Sequence, residues 1–250
     1  MSDIPLPLGI IGGTALHALP GLEGLQERRL DTPYGAPSSA LYGGRLHGRP
    51  VWFLGRHGER HDIAPHRINY RANVWALREA GARALIGVAS CGGIGPQMAP
   101  GVLAAPAQLI DYTWGRAATF FDEDFAFDKH IDFTEPYDAA LRGALAAAAR
   151  RAGVRWAAGG TLAVTQGPRL ETAAEIRKLA QDGCDLVNMT GMPEAALARE
   201  AGLPYACLAV VVNWAAGVGE APITLDEIRA AAGAGQAAVA AVLEALLAAA

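Results

Sequence analysis

Along the chain, short runs of apolar, mostly β-branched residues alternate with alanine-rich stretches whose apolar positions recur at helical spacing. That alternation predicts an α/β fold, with a sheet covered on both faces by helices. The predicted strands are Leu8–Ile11, Leu41–Leu46, Val51–Leu54, Ala84–Ala89, Val102–Ile110, Trp156–Val164 and Tyr205–Val212, several of them apolar throughout, as fully buried strands are. Helices are predicted over Asn69–Ala80, Tyr137–Ala152, Glu171–Gln181, Pro193–Ala201 and Leu225–Ala249, with Pro193 near a first turn, where its missing N–H costs nothing. Residues Thr113–Phe133 break the rhythm, being aromatic, acidic and without a period. A long loop is expected there, either functional or an irregular surface excursion.

Composition narrows this picture. A chain of 250 residues, 52% hydrophobic and 18% charged, can bury a large core, and it reads as a single domain over 1–250 without repeats or linkers. A net charge of −4 and the lack of a Lys/Arg cluster exclude an electrostatic footprint for nucleic acid. Cys91, Cys184 and Cys207 form no CxxC pair, which fits neither a disulfide framework nor a zinc site, so a reducing cytoplasm is the expected location. The start, MSDIPLPLGIIGG, lacks the basic end of an export signal. The apolar tail Ala237–Ala250 carries Glu244 and falls short of the roughly 20 residues a bilayer span needs. It is read as a closing helix, with no membrane partner.

Candidate chemistry collects where predicted strands end. After the first, Gly12-Gly13-Thr14 offers a sharp backbone turn and a hydroxyl, either an anion corner or a plain tight turn. It is no dinucleotide fingerprint, because position 17 is His. Strand Val51–Leu54 runs into Gly55-Arg56-His57-Gly58-Glu59-Arg60-His61. There a guanidinium fork can grip a tetrahedral oxyanion, and an imidazole adds a donor whose charge can change near neutral pH. A solvated polar loop would look the same. The strand Ala84–Ala89 stops at Ser90-Cys91-Gly92-Gly93, small residues able to present N–H groups. Three such ends could share one crevice at the carboxyl edge of the sheet. Later segments, Gln166–Thr172 and Val187–Glu194, each open a helix, and Val210-Val211-Val212 ends in Asn213. Met189 and Met192 could be core filler, Glu171 a helix-start carboxylate, and Asn213 a turn former.

Six strings in order, GIIGGT, RHGERH, NYRANVWAL, GPRLET, NMTGMPEAALARE and the strand ending in Asn213, resemble the trimeric purine nucleoside phosphorylase and methylthioadenosine phosphorylase family. The resemblance runs from Gly9 to about Ile228. It implies one α/β domain around a twisted, partly barrel-like mixed sheet, a homotrimer, and no metal or organic cofactor, inorganic phosphate being a co-substrate. Position by position it implies a phosphate cradle of Thr14, Arg56, His57, Ala89, Ser90 and Thr190. Met189 resembles the residue under the ribose, with Asn188 beside it in the substrate pocket. Leu170 replaces an aromatic that usually stacks on the base, and Ala89 replaces a usual Thr.

Base choice follows from three positions. The methylthioadenosine branch resembles a pattern with Asp at 213 and 215, whereas this chain has Asn213 and Ala215. An amide can donate to a 6-oxo group and accept from N7–H, and Glu171 can accept from N1–H of a 6-oxopurine. Asn213 is therefore the expected catalytic residue. Leu225 occupies a position lining the 5′ pocket in the methylthio branch, beside the apolar stretch Ala221–Thr224. The expected reaction is phosphorolysis of S-methyl-5′-thioinosine, with inosine and guanosine or methylthioadenosine as alternative substrates. A water-using nucleosidase and a non-catalytic nucleotide-binding protein are the rival classes.

Overall fold

A computed structural model describes residues 4–12, 21–220 and 225–249, without the side chains of 225 and 227–229. Eleven strands form one mixed sheet. They are β1 (Leu8–Gly12), β2 (Leu22–Arg28), β3 (Leu41–Leu46), β4 (Arg49–Gly55), β5 (Ala84–Gly93), β6 (Leu103–Ala105), β7 (Gln108–Asp111), β8 (Trp156–Ala158), β9 (Thr161–Val164), β10 (Leu186–Asn188) and β11 (Tyr205–Trp214). Among the described residues five α-helices accompany them: α1 (Tyr70–Glu79), α2 (Ala139–Arg151), α3 (Ala173–Gln181), α4 (Gly191–Glu200) and α5 (Leu225–Ala248). The expected α/β class with a mixed central sheet is what the chain adopts.

The sheet forks at β5. Parallel β1 pairs with Ala84–Gly87 on one edge, whereas antiparallel β10 takes that edge only at Gly92–Gly93. Parallel β11 follows β5 along its whole length on the other edge. Residues 88–91 of β5 therefore have no strand neighbour on the forked side. Order along the main path is β2-β3-β4-β1-β5-β10-β9-β7, while β6 and β8 continue from β11.

Two strands expected to be continuous are broken, and the breaks close the fork toward a barrel. Val102–Ile110 divides at Pro106, which has no N–H for a ladder, into β6 beside β11 and β7 beside β9. Trp156–Val164 divides at Gly159-Gly160, both at positive φ, into β8 beside β6 and β9 beside β10. Each chain segment thus crosses from one branch of the fork to the other. The expected strands missed β2, an exposed edge strand without alternation, and β10, whose three residues are too short to register as a pattern.

Helix starts follow local chemistry. Thr172 and Glu175 form a reciprocal capping box at α3, and Asp138 caps α2 through Leu141 N–H. Both helices consequently begin two residues after the predicted points. In α4 the backbone is non-helical at Met192, so the regular turns start at Pro193 as expected.

Helices α1 and α4 bury their apolar faces on one side of the sheet, α2 and α5 on the other. A smaller cluster under α3 joins Ile176 and Leu179 to Val187 and Ala215. The C-terminal helix departs from the reading of a short tail. Residues Ala230–Ala248 have a mean hydropathy of 1.6 and are long and apolar enough, by length and composition, to cross a membrane. In the fold, Val239, Val242, Leu243, Leu246 and Leu247 of this helix are buried in the core.

Candidate active site

The fork opens into a cavity of about 630 Å³, within the usual range for a small-molecule site. Arg56, His57, Ala89, Ser90, Leu170, Glu171, Asn188, Met189, Thr190, Asn213 and Ala215 all line it. Thr14 and the Leu225 side chain lie outside the described residues.

Arg56 leaves the end of β4 and turns into the fork, where its exposure falls to 2%. Its Nε and Nη2 donate to the two carboxylate oxygens of Glu194 at 2.7 and 2.8 Å, Nη1 to Val88 O at 2.9 Å and Nη2 to Ile11 O at 3.1 Å. Val88 is the first residue of β5 beyond its pairing with β1, so the guanidinium satisfies a carbonyl that the fork leaves without a strand partner. Burial opposes the charge, but Glu194 outweighs it and holds the guanidinium above its ordinary range. Tyr205 Oη donates to Glu194 Oε1 at 2.8 Å. Gly87 is needed beneath this network, since a Cβ there would lie 2.1 Å from Tyr205 Oη.

This corrects the expectation of Arg56 as a free fork gripping an anion. Four of its hydrogen bonds go to protein oxygens, leaving one Nη1–H. Glu194 and Tyr205 escaped the sequence reading because their partner lies far away in the chain and nothing local marks either as polar core.

His57 also differs from its expected role as a group titrating near neutrality. Its Nδ1 is 2.8 Å from Ile63 O, a bond only a protonated Nδ1 can make. Burial lowers its pKa to about 4, the charges of Arg56 and His61 adding to that shift against the opposing Ile63 bond. Near pH 7 the ring is neutral and its Nε2 is an acceptor, suited to the hydroxyl of hydrogen phosphate. His61, absent from the expected cradle although it stands in RHGERH, packs its ring against His57 in a tilted arrangement, centroids 4.5 Å apart, and also lines the cavity.

Ser90 and Gly92 sit inside β5 rather than after it, which corrects the picture of a third anion corner at a strand end. Their facing residues lie on β11, where Val211 pairs with Cys91 and Asn213 with Gly92. Val212 is thus an extra residue, a bulge in the pairing. Neighbours in a regular strand point to opposite faces, whereas Val212 and Asn213 both line the cavity. The bulge aims Asn213 inward, so it is no turn former. Its Nδ2 donates to Trp214 O at 2.6 Å, leaving one N–H and Oδ1 for a ligand.

Glu171 lines the same cavity, and its Oε1 accepts from Thr165 Oγ1 at 2.5 Å. Thr165 was not anticipated. Gly167, at φ 65°, leaves room for the Met189 sulfur, which a Cβ would meet at 2.5 Å. Leu170 is 45% exposed at the cavity mouth. Asn188 Oδ1 accepts from the N–H groups of Thr190 and Gly191 at 3.3 and 3.2 Å, fixing the start of α4. Its buried Nδ2 has no oxygen or nitrogen acceptor among the described residues; it lies beside the Cys91 thiol, whose pKa burial pushes well above its usual range while the Asn188 amide opposes that shift. The remaining wall comes from α5 through Ala232, Gly233, Gln236 and Val239, which only the tertiary fold brings here.

This pocket sits within a chain whose residues 7–248 match the family model described as the phosphorylase superfamily. The chain belongs to the phosphorylase superfamily. It is 53% identical over 229 residues to a probable S-methyl-5′-thioinosine phosphorylase of Xanthomonas campestris pv. campestris, covering 91% of this chain and 92% of that one. It is 42% identical to the 6-oxopurine nucleoside phosphorylase of Pyrococcus furiosus, over 88% of this chain and 84% of the relative. Among solved structures of the superfamily, a methylthioadenosine phosphorylase from an antarctic soil metagenomic library superposes with a TM-score of 0.92 at 31% identity, covering 96% of this chain and 85% of that one.

Proposed function

We propose that the protein is a nucleoside phosphorylase that cleaves S-methyl-5′-thioinosine with inorganic phosphate, releasing hypoxanthine and 5-methylthioribose 1-phosphate. One observation carries this reading: Asn213 and Glu171 face a single cavity that also holds Arg56, His57 and Thr190. The similarity to S-methyl-5′-thioinosine phosphorylases at 51–54% identity supports the same substrate.

In this scheme phosphate lies below C1′, near the free N–H of Arg56, the buried Nδ2 of Asn188, Ser90 and Thr190. Hydrogen phosphate donates its hydroxyl to His57 Nε2. As the C1′–N9 bond breaks, positive charge develops on the ribosyl group and negative charge on the purine. A phosphate oxygen then forms the new bond to C1′. N7 of the departing purine takes up a proton from solvent, balancing the one that hydrogen phosphate gives up once esterified; Asn213 Oδ1 accepts from that N7–H while its free N–H donates to O6, and Glu171 accepts from N1–H. Catalysis comes from positioning and charge stabilisation, without a covalent enzyme intermediate. Met189 packs under the ribose and Leu170 covers the base. Ala215 replaces a polar reader with an apolar wall. The cavity face of α5, formed by Ala232, Gly233, Gln236 and Val239, borders the 5′ substituent.

The scheme requires no metal or organic cofactor. Three cysteines, all free thiols, suit a cytoplasmic enzyme. A homotrimer suits the exposed Trp114, Phe125 and Phe127 on the 113–133 segment, which offer apolar area to a neighbouring subunit. Phosphorolysis of inosine and guanosine is the second reading, supported by the relatives named 6-oxopurine nucleoside phosphorylases.

The test is kcat/KM for S-methyl-5′-thioinosine, inosine, S-methyl-5′-thioadenosine and adenosine, with phosphate and with a non-nucleophilic buffer. S-methyl-5′-thioinosine should be the best substrate, and base release should require phosphate. Undiminished release without phosphate, or a preference for the adenine nucleosides, contradicts the proposal.

A further inference from the structure

Arg116, on the long segment after β7, makes an unusual set of bonds. Its Nε donates to Gln166 Oε1 at 3.1 Å. Its Nη1 reaches Met192 O at 2.6 Å, Met189 O at 2.9 Å and Tyr70 Oη at 3.3 Å. Its Nη2 reaches Gln166 O at 2.9 Å and Thr165 O at 3.3 Å. Every acceptor is a neutral oxygen. The guanidinium also lies over the Tyr70 ring, 5.6 Å from its centroid.

Apart from Tyr70 on α1, these acceptors belong to two segments that leave the paired strands β9 and β10 side by side, Thr165 N–H donating to Asn188 O at 2.8 Å, and Arg116 joins them beyond the end of that pairing. Thr165 holds Glu171 through its hydroxyl while Arg116 holds Thr165 through its carbonyl. Met189 lines the cavity with its side chain while Arg116 takes its carbonyl from behind. The segment carrying Arg116 is itself docked here, with Trp114 N–H donating to Gln166 Oε1 and Phe120 N–H to Glu200 Oε2. A planar fork with five donors in fixed directions can tie two loops at a set separation; an ammonium with three donors on a flexible stem cannot.

We propose that Arg116 is a positioning residue that sets the distance between the base-reading wall, Thr165 to Glu171, and the ribose and phosphate wall, Met189 to Thr190. It touches no reacting atom. Its bonds instead hold Glu171 and Met189 in register with one another, so that the purine and the ribose are gripped together as the glycosidic bond stretches. Burial lowers the pKa of Arg116, against the opposing influence of Tyr70 and Asp111, in keeping with a cation whose hydrogen-bond partners are all neutral oxygens. This proposal rests on the phosphorolytic reading of the cavity.

Misplacing a reacting group by about 1 Å can cost about 100-fold in rate. Arg116→Lys and Arg116→Ala are therefore compared with the unaltered protein on whichever of the four nucleosides it cleaves best, at saturating phosphate and normalised to folded protein by circular dichroism. Expected is a fall in kcat of about 10-fold for Arg116→Lys and about 100-fold for Arg116→Ala, with KM for phosphate changed by less than about 3-fold. Added guanidinium ion should raise kcat of Arg116→Ala at least about 5-fold, leaving the unaltered protein unaffected. Unchanged kcat in folded variants overturns the proposal. So does a loss that guanidinium fails to restore, or one that vanishes on normalising to folded protein. An unaltered protein that cleaves no nucleoside with phosphate overturns the functional reading first, and this proposal with it.

Discussion

The two sides of the cavity are built differently. On the phosphate side, Arg56 and Glu194, at 2% and 1% exposure, form a bidentate pair held further by Tyr205 and two main-chain carbonyls. On the base side, Asn213 and Glu171 are half-buried and each is anchored by a single hydrogen bond. The phosphate side is part of the core, so any change there is paid in stability. The base side is a pair of short polar side chains on a bulge and a loop, where substrate choice can change without disturbing the fold.

The sharpest way to break this contrast is Glu194→Ala. It leaves the Arg56 guanidinium buried and unpaired, at an expected cost of about 3–5 kcal/mol in folding stability. Denaturant unfolding measures it, and a loss below about 1 kcal/mol would show that the pair is no structural keystone.

A smaller effect concerns His57. Its folded pKa, about 4, lies below the ordinary 6.5, so between those values the unfolded chain binds a proton that the folded chain does not. Its contribution is complete above about pH 6.5 and is lost as pH falls toward 4. His57→Gln removes this term, so from pH 7 to pH 4 the unaltered protein should lose roughly 2–3 kcal/mol more stability than the variant. Parallel stability-versus-pH curves would mean that His57 is not held neutral.

Much of this molecule was legible in its sequence. The apolar strands and alanine-rich helices announced the α/β class, and the resemblance that the six strings carry pointed, position by position, to eleven described residues that line one cavity. What stayed hidden depends on long-range geometry. RHGERH displays Arg56, but Glu194 is 138 residues away, and only the fold reveals that the guanidinium is already engaged. The fork at β5 arises from competition between β1 and β10 for one edge, and no local pattern encodes it. Pro106 and Gly159-Gly160 lie inside runs that read as continuous strands, and the breaks there follow from the passage of each segment between branches. Nothing in the sequence marks Arg116, because most of its partners are main-chain carbonyls, which carry no sequence signature, and its side-chain partners Gln166 and Tyr70 lie about 50 residues away in the chain. Asn213 was recognisable by its type, whereas its inward aim depends on the bulge at Val212.

The base-reading role of Asn213 is the central claim, and its most direct test is the ratio of kcat/KM for S-methyl-5′-thioinosine to that for S-methyl-5′-thioadenosine in the unaltered protein and in Asn213→Asp. A carboxylate can accept from a 6-amino group but repels a 6-oxo group, so the ratio should fall by at least about 10-fold in the variant. A ratio that does not move, in a variant that still folds and cleaves nucleoside with phosphate, would contradict the assignment of Asn213 as the residue that reads the base.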